Sequence, residues 1–169
     1  MEEQNRALIR TLYDSLDRHD GEGMAACYAP TAQFRDPAFG ELSGAEAGDM
    51  WRMLTGRAED LSVELADHDA NDETGTAHWI AHYTFTDTGR PVVNDVRARF
   101  RFADGLIVEH VDRAFACSDL GQTVRNRPRG GKRGFLGGIL GQEDFAAAVE
   151  ALRKLSAALD ELDRGGSAH

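Results

Sequence analysis

Two side chains of this sequence stand at a spacing that proton chemistry can use. His110 and Asp112 are two residues apart in the run VVNDVRARFRFADGLIVEHVDRAF, which spans 92–115. In an extended chain, side chains alternate faces with period two, so both point the same way. An imidazole beside a carboxylate makes an oriented acid/base, the carboxylate holding the protonated ring. Asp36 is a third candidate. It shares a face with Phe34 in the run Gln33–Asp36 and stands directly before Pro37. A carboxylate in an apolar pocket resists ionisation, which moves its pKa toward the range useful for proton transfer. Each has a plain structural alternative: an Asp-Pro strand end bonded to backbone, and a satisfied buried polar pair. The spacing alone does not imply a direct His110–Asp112 bond.

The elements around these residues decide which way they face. In the strand beginning at Val92, the residues Val92, Asn94, Val96, Ala98, Phe100 and Phe102 form one face, and Val93, Asp95, Arg97, Arg99 and Arg101 the other. Ala103-Asp104-Gly105 suits a three-residue loop closed by a glycine with positive φ. That register pairs Phe102 with Leu106, Phe100 with Val108, Arg99 with Glu109, Ala98 with His110, Val96 with Asp112 and Asp95 with Arg113. It gains two opposite-charge cross-strand pairs, each worth roughly 0.2–1 kcal/mol, and puts His110 and Asp112 on the apolar face. A two-residue Asp-Gly loop shifts the second strand by one and moves both to the arginine face. The three-residue loop is the expectation. Asn94, on the same inner face, could bind a carbonyl oxygen or position water.

Upstream, residues 3–19 read as a helix with Leu8, Ile9, Leu12, Tyr13 and Leu16 on one face. A shorter helix follows at about 22–28, ending at Pro30. Gln33–Asp36 is a short strand, Gly40–Gly44 a turn, and about 45–57 a helix carrying Met50, Trp51, Met53 and Leu54. Ser62–His68 and Ala77–Thr86 are strands joined by the turn 71–75. Trp79, Ala81, Tyr83 and Phe85 share one face of the latter; His78, Ile80, His82 and Thr84 share the other, where His82 is expected beside Asp95. The order helix, helix, strand, helix and four consecutive strands predicts an α+β layer fold with helices on one sheet face. The other face is half polar and free to meet water or a second subunit. Trp51, Trp79, Tyr83, Phe85 and Phe100 read as wall and core.

The chain has 169 residues and a net charge of −10, enough length for one domain with a core plus an extension. Residues 1–120 carry 11 basic and 23 acidic groups; 121–141 carry five basic groups and no acidic ones. An acidic body argues against nucleic acid or an anionic membrane as main partner. Two cysteines, Cys27 and Cys117, make no disulfide framework or metal cluster, so a cytoplasmic location is expected. No run approaches the ~18 apolar residues of a membrane span. The segment 120–141 is a glycine- and arginine-rich loop, either a solvated linker or an anion-contacting flap. Residues 142–164 read as an amphipathic helix with Phe145, Val149, Leu152, Leu155, Leu159 and Leu162 as its stripe, and 165–169 as a disordered tail.

The element order, FRDP at 34–37 and DGLIVEHVD at 104–112 resemble the SnoaL-like branch of the nuclear-transport-factor-2-like (NTF2-like) superfamily over about residues 3–119. That superfamily includes ketosteroid isomerase, polyketide cyclases and limonene epoxide hydrolase. TGRPVVNDVRARFRF at 88–102 is similar to the corresponding isomerase strand. The resemblance implies an NTF2-like, cystatin-like α+β barrel: a cone-shaped curved antiparallel sheet packed on N-terminal helices, with a deep apolar pocket and, here, an extra C-terminal helix. It specifies the reaction weakly, because the fold hosts many functions and some members are not enzymes. Asp36 matches the isomerase's general-base aspartate, one of its three tuned groups. The isomerase's tyrosine position falls on Leu12, with Tyr13 beside it turned by one residue, and its protonated-acid position on Ala98. Steroid isomerase activity is therefore not expected. Cyclase-like members often carry a histidine and an aspartate on the last strand, as at His110 and Asp112.

Together these readings predict a small-molecule enzyme of isomerase, cyclase or epoxide-hydrolase type, working by general acid/base chemistry without cofactor or metal. Asp36, His110 and Asp112 are its expected catalytic groups. Tyr13, Trp51, Trp79, Tyr83, Asn94, Val96 and Phe100 are its expected substrate contacts. A small apolar or carbonyl-containing molecule is the expected partner, with a homodimer through the outer sheet face. A zinc site from Asp36, His110 and Asp112 is not demanded by the spacing. The alternatives are a non-catalytic module that binds an apolar metabolite or mediates assembly, and an adaptor working through the 142–164 helix.

Overall fold

Helix α1 (Glu2–Asp17) buries Ile9, Leu12, Tyr13 and Leu16, the i, i+3, i+4, i+7 stripe of a core-facing helix. Asn5, also buried, donates from Nδ2 to the carbonyls of Asn71 (2.8 Å) and Asp72 (3.1 Å), tying α1 to a sheet turn. The Asp20 side chain caps α2 (Gly21–Ala25) through the Gly23 amide at 2.8 Å. In this computed structural model the described residues are 1–36, 40–85, 89–119 and 150, with the backbone alone for Phe85, Arg90 and 114–119. Pro37, the 120–141 loop, the tail and, Glu150 apart, the 142–164 helix lie outside them, as does the Phe85 side chain. No helix among the described residues is long and apolar enough to cross a membrane.

The second helix stops at Ala25, short of the expected 28, and Tyr28 opens strand β1 (Tyr28–Asp36). Pro30 sits inside that strand, within the gap where its ladder with the last strand shifts register, between Tyr28 and Gln33. A residue without an N–H is tolerated at such an irregularity. The expected turn after Gly40 is a strand, β2 (Gly40–Ser43), paired with β1 at Phe34↔Leu42. It escapes a periodicity reading because only Leu42 of its four residues is apolar. Ser43 and Glu46 then form a reciprocal capping box on α3 (Gly44–Arg57). Gly44 is required there: a Cβ would lie 2.1 Å from the Ala29 carbonyl, so only glycine lets α3 start against β1.

The four-strand meander forms as expected: β3 (Ser62–Ala70), β4 (Thr74–Phe85), β5 (Arg90–Ala103) and β6 (Leu106–Asp119). The full order is β2-β1-β6-β5-β4-β3. β1 lies parallel to β6, with Phe34 level with His110 and Arg35 with Val111, so the six-stranded sheet is mixed. Helices cover one face, giving the expected NTF2-like α+β layering around a core that includes Trp51, Trp79, Phe34 and Ile107.

The β5–β6 register differs from expectation, although the facing does not. The turn is the two-residue Asp104-Gly105, both at positive φ (52° and 77°), with Ala103 opposite Leu106. Alone it would send His110 to the arginine face. A bulge restores parity: Phe102 pairs with Ile107 but Arg101 with Glu109, leaving Val108 as the extra residue. Phe100 then faces His110 and Ala98 faces Asp112. The inner position assigned to Val108 belongs to Ile107, which is fully buried. The two predicted charge pairs are replaced. Arg101 meets Glu109 at 3.8 Å, and Arg113 stands opposite Arg97 rather than Asp95. His78, not His82, reaches Asp95, at 2.9 Å.

Candidate functional site

Every predicted inner-face residue of β5 is buried: Val92, Asn94, Val96, Ala98, Phe100 and Phe102. On β6, His110 is 1% exposed and Asp112 8%. The His110–Asp112 bond that spacing could not guarantee is present, His110 Nε2 lying 3.0 Å from Asp112 Oδ1. Bulge and twist near β6 bring same-face neighbours closer than a flat strand would. The other ring nitrogen, Nδ1, lies 2.7 Å from the Tyr28 hydroxyl, which also accepts a 3.1 Å bond from the Trp51 indole N–H. Three aromatic rings enclose the imidazole: Phe100 at 4.4 Å, Phe34 edge-on at 5.0 Å and Tyr28 stacked at 6.0 Å.

Asp36 is buried on the inner face, two residues after Phe34. Phe34 is level with His110 and Arg35 with Val111; Asp36 and Asp112 each follow one residue later on their strands. The three candidate residues therefore lie near one end of the β1–β6 ladder. Asn94 forms a second polar pair, donating to the Tyr83 hydroxyl at 3.1 Å. Val96 lies opposite Trp79. Tyr13 reaches in from α1, its ring 5.3 Å from Trp79 and 6.5 Å from Phe100. Its hydroxyl is buried without a hydrogen-bond partner among the described residues.

Burial pushes the Tyr13 and Tyr28 phenols well above their ordinary range, and the charge of Asp112 adds to the shift in both. The Trp51 bond opposes it at Tyr28. Both hydroxyls thus keep their protons. Cys27, which donates to the Gly23 carbonyl at 3.3 Å, is raised to about 11 by burial and is an inert thiol. Among the described residues no group of three His, Cys, Asp or Glu is placed to hold a metal.

Tyr28 is the residue that sequence reasoning missed. A signal existed: residues 28, 32, 34 and 36 are all buried on one side of β1, so extending the Phe34/Asp36 alternation backwards would have found it. The opposite sheet face carries two grooves. One, of about 450 Å³, is walled by Arg35, Arg99, Arg101 and Arg113. The other, of about 240 Å³, adds Arg97 and His78.

The model of the SnoaL-like domain matches residues 9–110. The chain belongs to the SnoaL-like family. Solved structures similar to it include AclR of Streptomyces galilaeus, a candidate hydroxylase (20% identity, 68% of this chain and 91% of that one, TM-score 0.58). Another is an LEH-like epoxide hydrolase of M. tuberculosis (14%, 68% and 84%, TM-score 0.56). A third is IdmH of Streptomyces antibioticus, a candidate polyketide cyclase (20%, 64% and 90%, TM-score 0.55). At these identities the likeness is one of fold. Among curated proteins none matches the chain. Within this SnoaL-like frame Leu12 and Tyr13 are both buried, so Tyr13 is not turned out of the interior by its one-residue offset. Ala98, opposite Asp112, supplies no acid.

Proposed function

We propose that this protein is a small-molecule enzyme using cofactor-independent general acid/base chemistry on the apolar inner face of the sheet, beneath the helices. The observation that carries the reading is the bonded His110–Asp112 pair, buried on the inner face that also holds Asp36. In this reading Asp36 is the base, and His110 with Asp112 delivers a proton or positions water. Tyr13 offers its unpartnered hydroxyl to a substrate oxygen and Asn94 a second polar contact. Trp79, Tyr83, Val96 and Phe100 form the wall, and Trp51 supports it from behind. Proton abstraction beside a carbonyl, isomerisation, intramolecular cyclisation and water addition to an epoxide all fit these groups. The substrate is a small apolar or carbonyl-containing molecule, and the setting a cytoplasmic homodimer. Mass spectrometry of the molecule that co-purifies supplies the assay. Asp36→Asn is expected to cut its turnover by at least about 100-fold with the thermal midpoint unchanged; full activity in that variant refutes the assignment.

The second reading is a non-catalytic binding or assembly module, and the outer sheet face favours it. Arg97 stands directly opposite Arg113, a like-charge pair that sheets ordinarily avoid. Arg99 and Arg113 have no ion pair among the described residues while lining the larger groove. Such a face suits an acidic surface, including that of a second copy. Ligand affinity unchanged by Asp36→Asn and His110→Ala, with self-association lost in Arg99→Glu/Arg113→Glu, selects this reading over the first.

A further inference from the structure

We infer that Tyr28 is a positioning residue which fixes the tautomer of His110, and through it the acid/base role of Asp112. The inference rests on the acid/base reading above for its catalytic meaning, and on geometry alone for the tautomer. An indole N–H only donates, so Trp51 Nε1, 3.1 Å from the Tyr28 oxygen, makes that oxygen an acceptor. Among the described residues the phenol's own proton then has one polar neighbour, His110 Nδ1 at 2.7 Å, and would be buried unsatisfied if it pointed elsewhere. A nitrogen that accepts carries no hydrogen, so the ring proton sits on Nε2 and points at Asp112 Oδ1, 3.0 Å away. Proton direction is set along the whole line: Trp51 to Tyr28, Tyr28 to His110, His110 to Asp112.

The consequence is a division of labour. Both imidazole nitrogens are occupied, so the pair acts on substrate or water through Asp112, one oxygen of which His110 orients. The second oxygen, Oδ2, has no hydrogen bond among the described residues, and the unpartnered Tyr13 hydroxyl is held in the field of the same carboxylate. Asp112 is therefore the substrate-facing group of the pair. Tyr28, three steps from the substrate by hydrogen bonds, controls it without touching the reaction.

The test is ¹⁵N NMR of histidine-labelled protein at rest, with no substrate needed. His110 is expected to show an Nε2–H signal and an unprotonated Nδ1, the Nε2–H form in at least about tenfold excess, as one buried hydrogen bond can impose. Asp112 only accepts and so favours the same tautomer. The Tyr28 contribution is therefore read in an Asp112→Asn background, whose amide can donate or accept. There the Nε2–H excess should persist, and adding Tyr28→Phe should bring the two tautomers within about twofold of parity. In the same background Trp51→Phe, which leaves the phenol free to accept as well as donate, should erode the excess in the same direction and serves if Tyr28→Phe does not fold. A protonated Nδ1 in the parent, or a tautomer ratio unmoved in the variants, overturns the inference, since a merely structural phenol would change stability and not the ratio. The result is independent of turnover: a fixed tautomer in a protein whose Asp36→Asn variant keeps full activity would sink the assignment of Asp36 as base and leave this one standing.

Discussion

The two faces of β5 and β6 are built from alternate residues of the same strands and share almost nothing. One presents Asn94, Val96, Ala98, Phe100, His110 and Asp112, all buried. The other presents Arg97, Arg99, Arg101 and Arg113, all exposed. On the inner face the bonds of His110 are 2.7 and 3.0 Å long and its ring is enclosed by three others; on the outer face Arg101 and Glu109 meet at 3.8 Å with both partners partly solvated. The difference teaches that chemistry here depends on parity. A single extra residue, Val108, separates a buried acid/base pair from a pair of surface side chains.

Deleting Val108 should break the comparison outright. With the two-residue turn kept, His110 and Asp112 move to the arginine face and charged residues move inward. Loss of a cooperative thermal transition is expected, a destabilisation above about 4 kcal/mol; a folded variant would show that the bulge does not set the facing. Phe34→Ala comes next. It removes a fully buried ring that packs against Trp51 and His110, and denaturant unfolding should record a loss of about 3–5 kcal/mol. His110→Phe keeps ring volume but strands the Tyr28 proton, at a cost of about 1–3 kcal/mol. If it proves neutral, the polar chain contributes nothing to the fold.

On the outer face the effects should be small and of opposite sign. Arg113→Glu sets an acid opposite Arg97, and a gain of about 0.2–1 kcal/mol in urea unfolding is expected. The smallest effect concerns acid. Arg52 holds the Glu22 carboxyl below its ordinary 4.5, and Arg6 holds Asp69 below 3.8. Unfolded carboxyls take up protons first as pH drops. The stability these groups confer is therefore complete above their ordinary values and is lost as pH falls through their lowered folded values. Arg52→Met should raise the midpoint of acid unfolding slightly, and an unchanged midpoint would show that this exposed pair contributes nothing.

Much of this was legible in the chain. Period-two alternation put the β5 inner face right at every position, because an apolar core on one side and water on the other leave little freedom. Period 3.6 found Ile9, Leu12, Tyr13 and Leu16 on α1, and the uninterrupted strand sequence gave the meander. What stayed hidden was set by partners distant in sequence. Leu42 becomes a strand residue because Phe34 lies beside it. Alternation along β1 could have turned Tyr28 inward, but its bond to His110, 82 positions away along the chain, exists because β1 runs parallel to β6. The loop choice illustrates the limit: local turn chemistry and charge pairing favoured three residues, whereas burial of His110 and Asp112 is reached by two residues plus a bulge. By itself the sequence determined which residues prefer the interior, since that preference belongs to each side chain. Only the tertiary structure decided which of them touch, because hydrogen-bond partners are chosen by where strands meet rather than by what each strand contains.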